Sequence, residues 1–133
     1  MLYGAEHVKR YVETGGREGH DWRGAQVLIL TTTGRRTGKQ HSTPLIYGRD
    51  GENYTVVASL GGAPDHPQWY KNLVADPTVR VQVKADVFTA EARTATEEEK
   101  ARLWPEMARI WPDYDDYQAK TERSIPLVIL RPV

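Results

Sequence analysis

Residues 78–94 read TVRVQVKADVFTAEART, and this stretch decides the fold class. Val79, Val81 and Val83 alternate with Arg80, Gln82 and Lys84, the two-residue period of a strand with one buried face. A tight connection then leads into DVFTAEART, which the same reasoning reads as a second strand. Two such runs joined by a short turn predict an antiparallel hairpin. Working outward, QVLILTTT (26–33) is apolar and β-branched, bounded by Gly24 and Gly34. HSTPLIYG (41–48) contains Pro44, which cannot donate to a ladder, so this segment belongs at a sheet edge or beside a bulge. Asp50-Gly51 reads as a hairpin turn into NYTVVAS (53–59), and IPLVILR (125–131) closes the chain. The count is about six strands.

Three to four helical segments separate them. Ala5 to Thr14 carries Val8, Tyr11 and Val12 at helical spacing and stops at Gly15-Gly16. After Gly61-Gly62, Asp65 is a cap and Pro67 a first-turn residue for a helix with Trp69 and Leu73 on one face, ended by Asp76-Pro77. Thr96 and Glu99 form a capping box for a third helix with a Leu103, Met107 and Ile110 stripe, kinked at Pro105. Pro112 starts a short fourth helix with Tyr114 and Tyr117. Hairpin-linked strands with helical insertions argue for a mostly β, α+β protein built on a small antiparallel barrel. A Rossmann sheet is disfavoured, since neither regular β-α-β alternation nor G-x-G-x-x-G is present.

The chain has 133 residues, enough for one domain (1–133) with one core, the helix at 1–16 packed on the barrel. Its 18 basic and 18 acidic residues balance, so nucleic acid is not an expected partner. The lack of cysteine excludes a thiolate nucleophile or Cys-based metal site and suits a reducing cytoplasm. The N-terminal stretch has no apolar signal core and no window is long enough to span a bilayer, so membrane contact is at most peripheral, on the inner face. The four histidines lack metal-ligand spacing, so no metal site is expected.

Three places carry chemistry. TTTGRRTGKQ (31–40) sets Arg35, Arg36 and Lys39 among glycines and threonine hydroxyls, a composition that suits phosphate or carboxylate and equally a solvated hairpin tip. ASLGGAPDHPQWYKN (58–72) places Gly61-Gly62 between a strand end and a helix start, where backbone N–H groups and the helix dipole favour an anion. Trp69 and Asn72 lie one turn apart on that helix; a plain turn with Trp69 in the core is the other reading. In WPDYDDY, Trp111, Tyr114 and Tyr117 recur every three residues and make either an aromatic wall or ordinary packing.

Taken in order, TTTGRRTGK, TPLIY, DGENYTVVAS, GGAPDHPQWYKNL and the two WP dipeptides resemble the deazaflavin (coenzyme F420)-dependent nitroreductase and quinone reductase family of actinobacteria. The resemblance runs over nearly the whole chain. It implies an antiparallel split β-barrel like those that bind FMN. It implies an F420-dependent oxidoreductase passing hydride to quinones, nitroaromatics or other activated acceptors, and split barrels are often homodimers. By the same resemblance Arg36, Thr37 and Gly38 match the cofactor loop, with Arg35, Lys39 and His41 beside it. Thr43, Pro44, Ser59, Leu60, Gly61 and Gly62 match positions along the cofactor, and Gln68, Trp69 and Asn72 its helix contacts. Ile46, Trp111, Tyr114 and Tyr117 match the acceptor pocket. Tyr117, Tyr114 and Ser59 are the expected proton donors or hydrogen-bonding groups.

Four residues depart from the pattern. His41 stands where many relatives carry arginine, Leu60 where lysine is common, and Trp111 and Ile46 where tyrosine occurs. FMN on the same barrel, or a non-catalytic F420 carrier, are the alternatives. A tail longer than one phosphate accounts better for three cations.

Overall fold

The computed structural model describes residues 2–133; Met1, in the N-terminal stretch read above, lies outside the described residues. Among the described residues there are eight strands and four α-helices. The strands are β1 (Asp21–Trp22), β2 (Ala25–Thr33), β3 (Gln40–Ile46), β4 (Gly48–Asp50), β5 (Asn53–Val57), β6 (Thr78–Val83), β7 (Asp86–Thr94) and β8 (Leu127–Pro132). The helices are α1 (Gly4–Thr14), α2 (Gln68–Ala75), α3 (Glu97–Ile110) and α4 (Asp113–Lys120). All pairings are antiparallel, in the order β2-β6-β7-β8-β5-β4, with β3 on the free side of β2 and β1 against its first residues. No described helix is long and apolar enough to cross a membrane.

The excess over six strands has two sources. β1 is a two-residue pairing, too short to produce a period. The HSTPLIYG segment is also two strands, because the chain bends at Tyr47. Before the bend, β3 pairs with β2 along its whole length, Pro44 opposite Ile29. Past it, β4 pairs with β5 at the other end of the sheet. One continuous segment therefore serves both edges, which is what closes the sheet into a split barrel. Pro44 sits on the edge strand that its missing N–H requires. Tyr47 is buried, donates its N–H to Gln26 O (3.0 Å) and shares a hydrogen bond of 2.9 Å between its hydroxyl and His20 Nε2. Burial first, and then the neighbouring Tyr11 and Tyr54, push its phenol up to about 12.

Alternation sorts the core. Leu28 and Leu30 of β2, Val79 and Val81 of β6, and Val128 and Leu130 of β8 point into the barrel. Their neighbours Val27 and Ile29 face outward under Tyr11 of α1, while Leu127 and Ile129 face Leu103 and Met107 of α3. On α1 the expected stripe is corrected at one position. Val12 is 52% exposed, and His7 joins Tyr11 on the buried side. The helix ends at Gly15 with left-handed φ, and Gly16 comes so close to the β6–β7 turn that a Cβ on it would stand 2.5 Å from Lys84 Cα. Tyr11 Oη accepts the Lys84 N–H at 2.7 Å and locks this contact.

Other helix boundaries follow the sequence with one difference. Asp65 does not cap α2: its carboxylate accepts from the His66 N–H (2.8 Å) and Lys71 Nζ (2.6 Å), and Pro67 is the N-cap residue. α3 runs through Pro105 to Ile110, as its stripe implied, with buried Leu103 and Met107 holding the second core.

The capping box is complete: Thr96 Oγ1 accepts from Glu99 N–H at 3.2 Å, and Glu99 Oε1 accepts from Thr96 N–H at 3.0 Å. Arg93 grips both carboxylate oxygens at 2.7 Å and, with the Thr96 N–H, holds the Glu99 carboxyl down at about 2. Thr96→Ala is expected to cost about 1 kcal/mol in urea unfolding. Because the Glu99 pKa is depressed on folding, its contribution is full above the ordinary carboxylate value of 4.5 and disappears as pH falls towards about 2. Glu99→Gln should therefore melt below wild type at pH 6, with the gap closing across that window; a gap independent of pH would refute the assignment.

Candidate active site

The TTTGRRTGKQ segment is the β2–β3 hairpin loop. Gly34 N–H donates to Lys39 O (2.7 Å) and Gly38 N–H to Gly34 O (2.8 Å), and the loop leans on α2. The contact is made by Arg35, whose guanidinium donates to Asn72 Oδ1 (2.8 Å) and Gln68 Oε1 (2.9 Å), while its backbone N–H also reaches Asn72 (3.3 Å). Asn72 in turn donates to Thr32 Oγ1 at 3.4 Å. Thr31 and Thr32 are buried, and Thr31 spends its hydroxyl on Ser42 (2.7 Å). These two threonines brace the loop and are not open ligand groups. Among the described residues no carboxylate pairs with Arg35, Arg36 or Lys39. Three cations thus share one loop without local neutralisation, in a chain of zero net charge.

Beside this loop lies a cavity of about 480 Å³ lined by Arg35, Arg36, Thr37 and His41 on one side and by Gln68, Trp69 and Asn72 on the other. A second cavity of about 420 Å³ has Pro44, Ile46, Ser59, Trp111, Tyr114 and Tyr117 in its wall. The two meet, because Thr43, Leu60, Pro67 and Trp69 line both. Three expected site residues lie outside both linings. Gly38 and Lys39 are at the exposed loop tip, and Gly62 is buried against α4, where a Cβ would stand 2.7 Å from Tyr117 O.

The glycine pair differs from expectation. Gly61-Gly62 belongs to a short 3₁₀ turn, Leu60–Gly62, with five residues between it and the first helical residue of α2. It does not form the N-terminus of that helix, and the Gly62 N–H is already given to Ser59 O (2.9 Å). Leu60, Gly61 and Gly62 all have positive φ, at 45°, 63° and 81°.

The aromatic wall comes from two elements. Trp111 caps α3, and Tyr114 and Tyr117 follow on α4, their rings edge to face at 6.2 Å. Burial, and secondarily Tyr117, raise the Tyr114 hydroxyl above its ordinary value, so it stays protonated and can donate. Sequence reasoning missed a further part of the lining, adjoining Trp111. Tyr3, His7 and Trp22 close the second cavity, Trp22 lying 5.5 Å from Trp111. Their helical and strand contexts gave no local signal of this. Arg123, also missed, bonds the carbonyls of the 58–63 turn.

The family model for F420H2-dependent quinone reductases matches residues 3–132. The chain belongs to the F420H2-dependent quinone reductase family. It is 41% identical over 128 residues to the F420H2-dependent quinone reductase Rv1261c of Mycobacterium tuberculosis, covering 93% of this chain and 86% of that one. Among solved structures it resembles an F420-H2 dependent reductase, FDR-A, at 38% identity and TM-score 0.74, covering 84% of this chain and 98% of the other. A structure described as a domain-swapped dimer matches at 37% identity and TM-score 0.77, covering 95% and 92%. Membership of the F420H2-dependent quinone reductase family makes the chain a split-barrel oxidoreductase whose cofactor is coenzyme F420. The residues present fit that cofactor: unpaired cations stand on one cavity and an aromatic wall on the next.

Asn72→Leu should lower unfolding stability by about 1–3 kcal/mol, because the Arg35 backbone N–H and guanidinium lose a part-buried acceptor. An unchanged urea midpoint would show that Arg35 is anchored in another way.

Proposed function

We propose that this chain transfers a hydride from reduced F420 to a quinone, and that nitroaromatics and related activated compounds serve as further acceptors. The observation that carries this reading is the junction of the two cavities at Thr43, Leu60, Pro67 and Trp69. A ligand lying across it has its anionic tail beside the cationic loop and its ring beside the aromatic cavity. In the first cavity Arg36, Thr37 and His41 bind the tail, with Arg35 held in place by Asn72 and Gln68; Lys39 and Gly38 shape the loop tip. At the junction Thr43, Pro44, Ser59, Leu60, Gly61 and Trp69 flank the ring.

Bound in its reduced form, F420 supplies the hydride. The chain supplies orientation, exclusion of water and a proton. Ile46, Trp111, Tyr114 and Tyr117 wall the acceptor. Tyr117 or Tyr114 donates to the acceptor oxygen on which charge develops, with Ser59 as the third donor within the same cavity. The chain acts as one split-barrel domain with α1 packed on it, and the domain-swapped relative supports a homodimer.

Fluorescence titration with F420, run beside FMN and followed by oxidation of the reduced cofactor with menadione, tests the reading. F420 should bind more tightly than FMN and turn over only with acceptor. Binding without acceptor-dependent oxidation would leave a carrier, and preference for FMN would sink the proposal. Arg36→Ala should weaken F420 binding about tenfold to a hundredfold, the value of a hydrogen bond to a charged group, with little effect on kcat. Tyr117→Phe should do the reverse, lowering kcat about a hundredfold at nearly constant affinity. Equal losses in both parameters for both variants would overturn the division of labour.

A further inference from the structure

Arg123 lies on the segment between α4 and β8, away from every motif that the sequence brings forward. Its guanidinium donates from Nε to Ala63 O (2.8 Å), from one terminal nitrogen to Ala58 O (3.2 Å), and from the other to Ser59 O (2.6 Å). The nitrogen that reaches Ala58 also stands 3.0 Å from His66 Nδ1. Four contacts from one planar fork therefore span residues 58–66. No carboxylate is among these partners, and burial lowers the guanidinium pKa below its ordinary value. A partly buried cation is thus spent on backbone carbonyls and an imidazole rather than on a carboxylate.

Those carbonyls belong to the turn that carries Ser59, Leu60 and Gly61 along the second cavity, with Leu60 lining the first as well. Its backbone is strained: Leu60, a residue with a Cβ, sits at φ +45°, followed by two more left-handed residues. Such a conformation persists only when its surroundings over-determine it. Arg123 is itself fixed from α4. Gln118 donates to Arg123 O (2.8 Å) and accepts from the Ile125 N–H (2.9 Å), and Gly62 packs against the Tyr117 backbone. The Ser59 turn and the Tyr114–Tyr117 wall are thereby tied to one guanidinium.

We propose that Arg123 is a positioning residue for hydride transfer: it fixes the Ser59–Gly62 turn against α4 and so sets the spacing between the ring side of the site and the acceptor wall. The inference rests on the F420-dependent reading for its kinetic consequence but not for its structural one. Arg123 lines neither cavity and reaches the second only through the Ser59 carbonyl, whereas the tail is held at the other end by the Arg35–Thr37 loop. Its loss should therefore separate turnover from binding.

Arg123→Lys keeps the charge and removes the fork. Amide hydrogen exchange on the ligand-free protein should rise for residues 59–63 and stay at wild-type level in β2, β6 and β8. In the F420-loaded enzyme kcat with menadione should fall about a hundredfold, the usual consequence of a misplacement near 1 Å, while F420 affinity falls less than about tenfold. Wild-type exchange and wild-type kcat in the folded variant would overturn the proposal. Parallel loss of affinity and kcat would overturn it in favour of direct cofactor contact, and exchange raised across the whole barrel would reduce Arg123 to a stability residue. Should Arg123→Lys fail to fold, His66→Leu, which removes one acceptor of the fork, carries the same test, with faster exchange at 59–63 expected and wild-type exchange refuting it. Absence of any F420 oxidation by wild type would sink the functional reading and leave the exchange result standing.

Discussion

The segment from Gln40 to Asp50 has to pair with β2 at one edge of the sheet and with β5 at the other, and the bend at Tyr47 is what allows both. The cost of an open edge is a row of unpaired backbone groups. Here one continuous segment supplies both edge strands, and the bend between them is stabilised by burying a large aromatic side chain whose hydroxyl finds His20. Everything functional hangs from that arrangement. β3 carries His41, Thr43, Pro44 and Ile46 past both cavities, and its start is the end of the cationic loop. Were the bend relaxed, the loop and the ring-side residues would lose their common frame.

The cationic loop shows how a neutral chain builds a local positive site. Net charge is zero because 18 acidic residues balance 18 basic ones, and Arg93, Arg102, Arg109 and Arg131 each pair with a carboxylate away from this loop. Arg35 receives amide oxygens instead, which accept hydrogen bonds without cancelling charge. Asn72 and Gln68 therefore do something that aspartate or glutamate at those positions would not: they orient the guanidinium and leave its field intact. Arg35 itself lines the adjoining cavity, so that field acts directly on the space between the loop and Trp69.

Local patterns carried most of the fold. Val79, Val81 and Val83 fixed a face, Gly51 a turn, and Thr96 with Glu99 a helix start, because each of those signals is complete within a few residues. What failed to show was whatever depends on distant partners. β1 is two residues long, and its pairing follows from β2. Tyr47 gives no sign that the chain bends there, since only the two edges demand it. Val12 has the same period as Val8 and Tyr11, yet the docking direction of α1 selects His7. In the site, the order of motifs pointed to the cofactor loop, the glycine turn and the aromatic wall as separate pieces. Their junction at Thr43, Leu60, Pro67 and Trp69 is a product of the closed sheet, so no local period encodes it.

The same distinction separates two kinds of residue around the site. Ser59, Tyr114 and Tyr117 are types whose chemistry suggests a role wherever they occur in a cavity. Arg123 has no such signature, because its partners are carbonyls that converge only after β5 has turned back and α4 has packed against the 3₁₀ turn. A strained turn held by a remote guanidinium is less tolerant of change than a turn stable on its own, but it has one advantage for hydride transfer. Leu60 can be kept in a left-handed conformation at the meeting point of the cavities, where a relaxed turn would carry its side chain elsewhere. The strain is local, its restraint comes from the acceptor side, and the geometry of one wall thereby depends on the other.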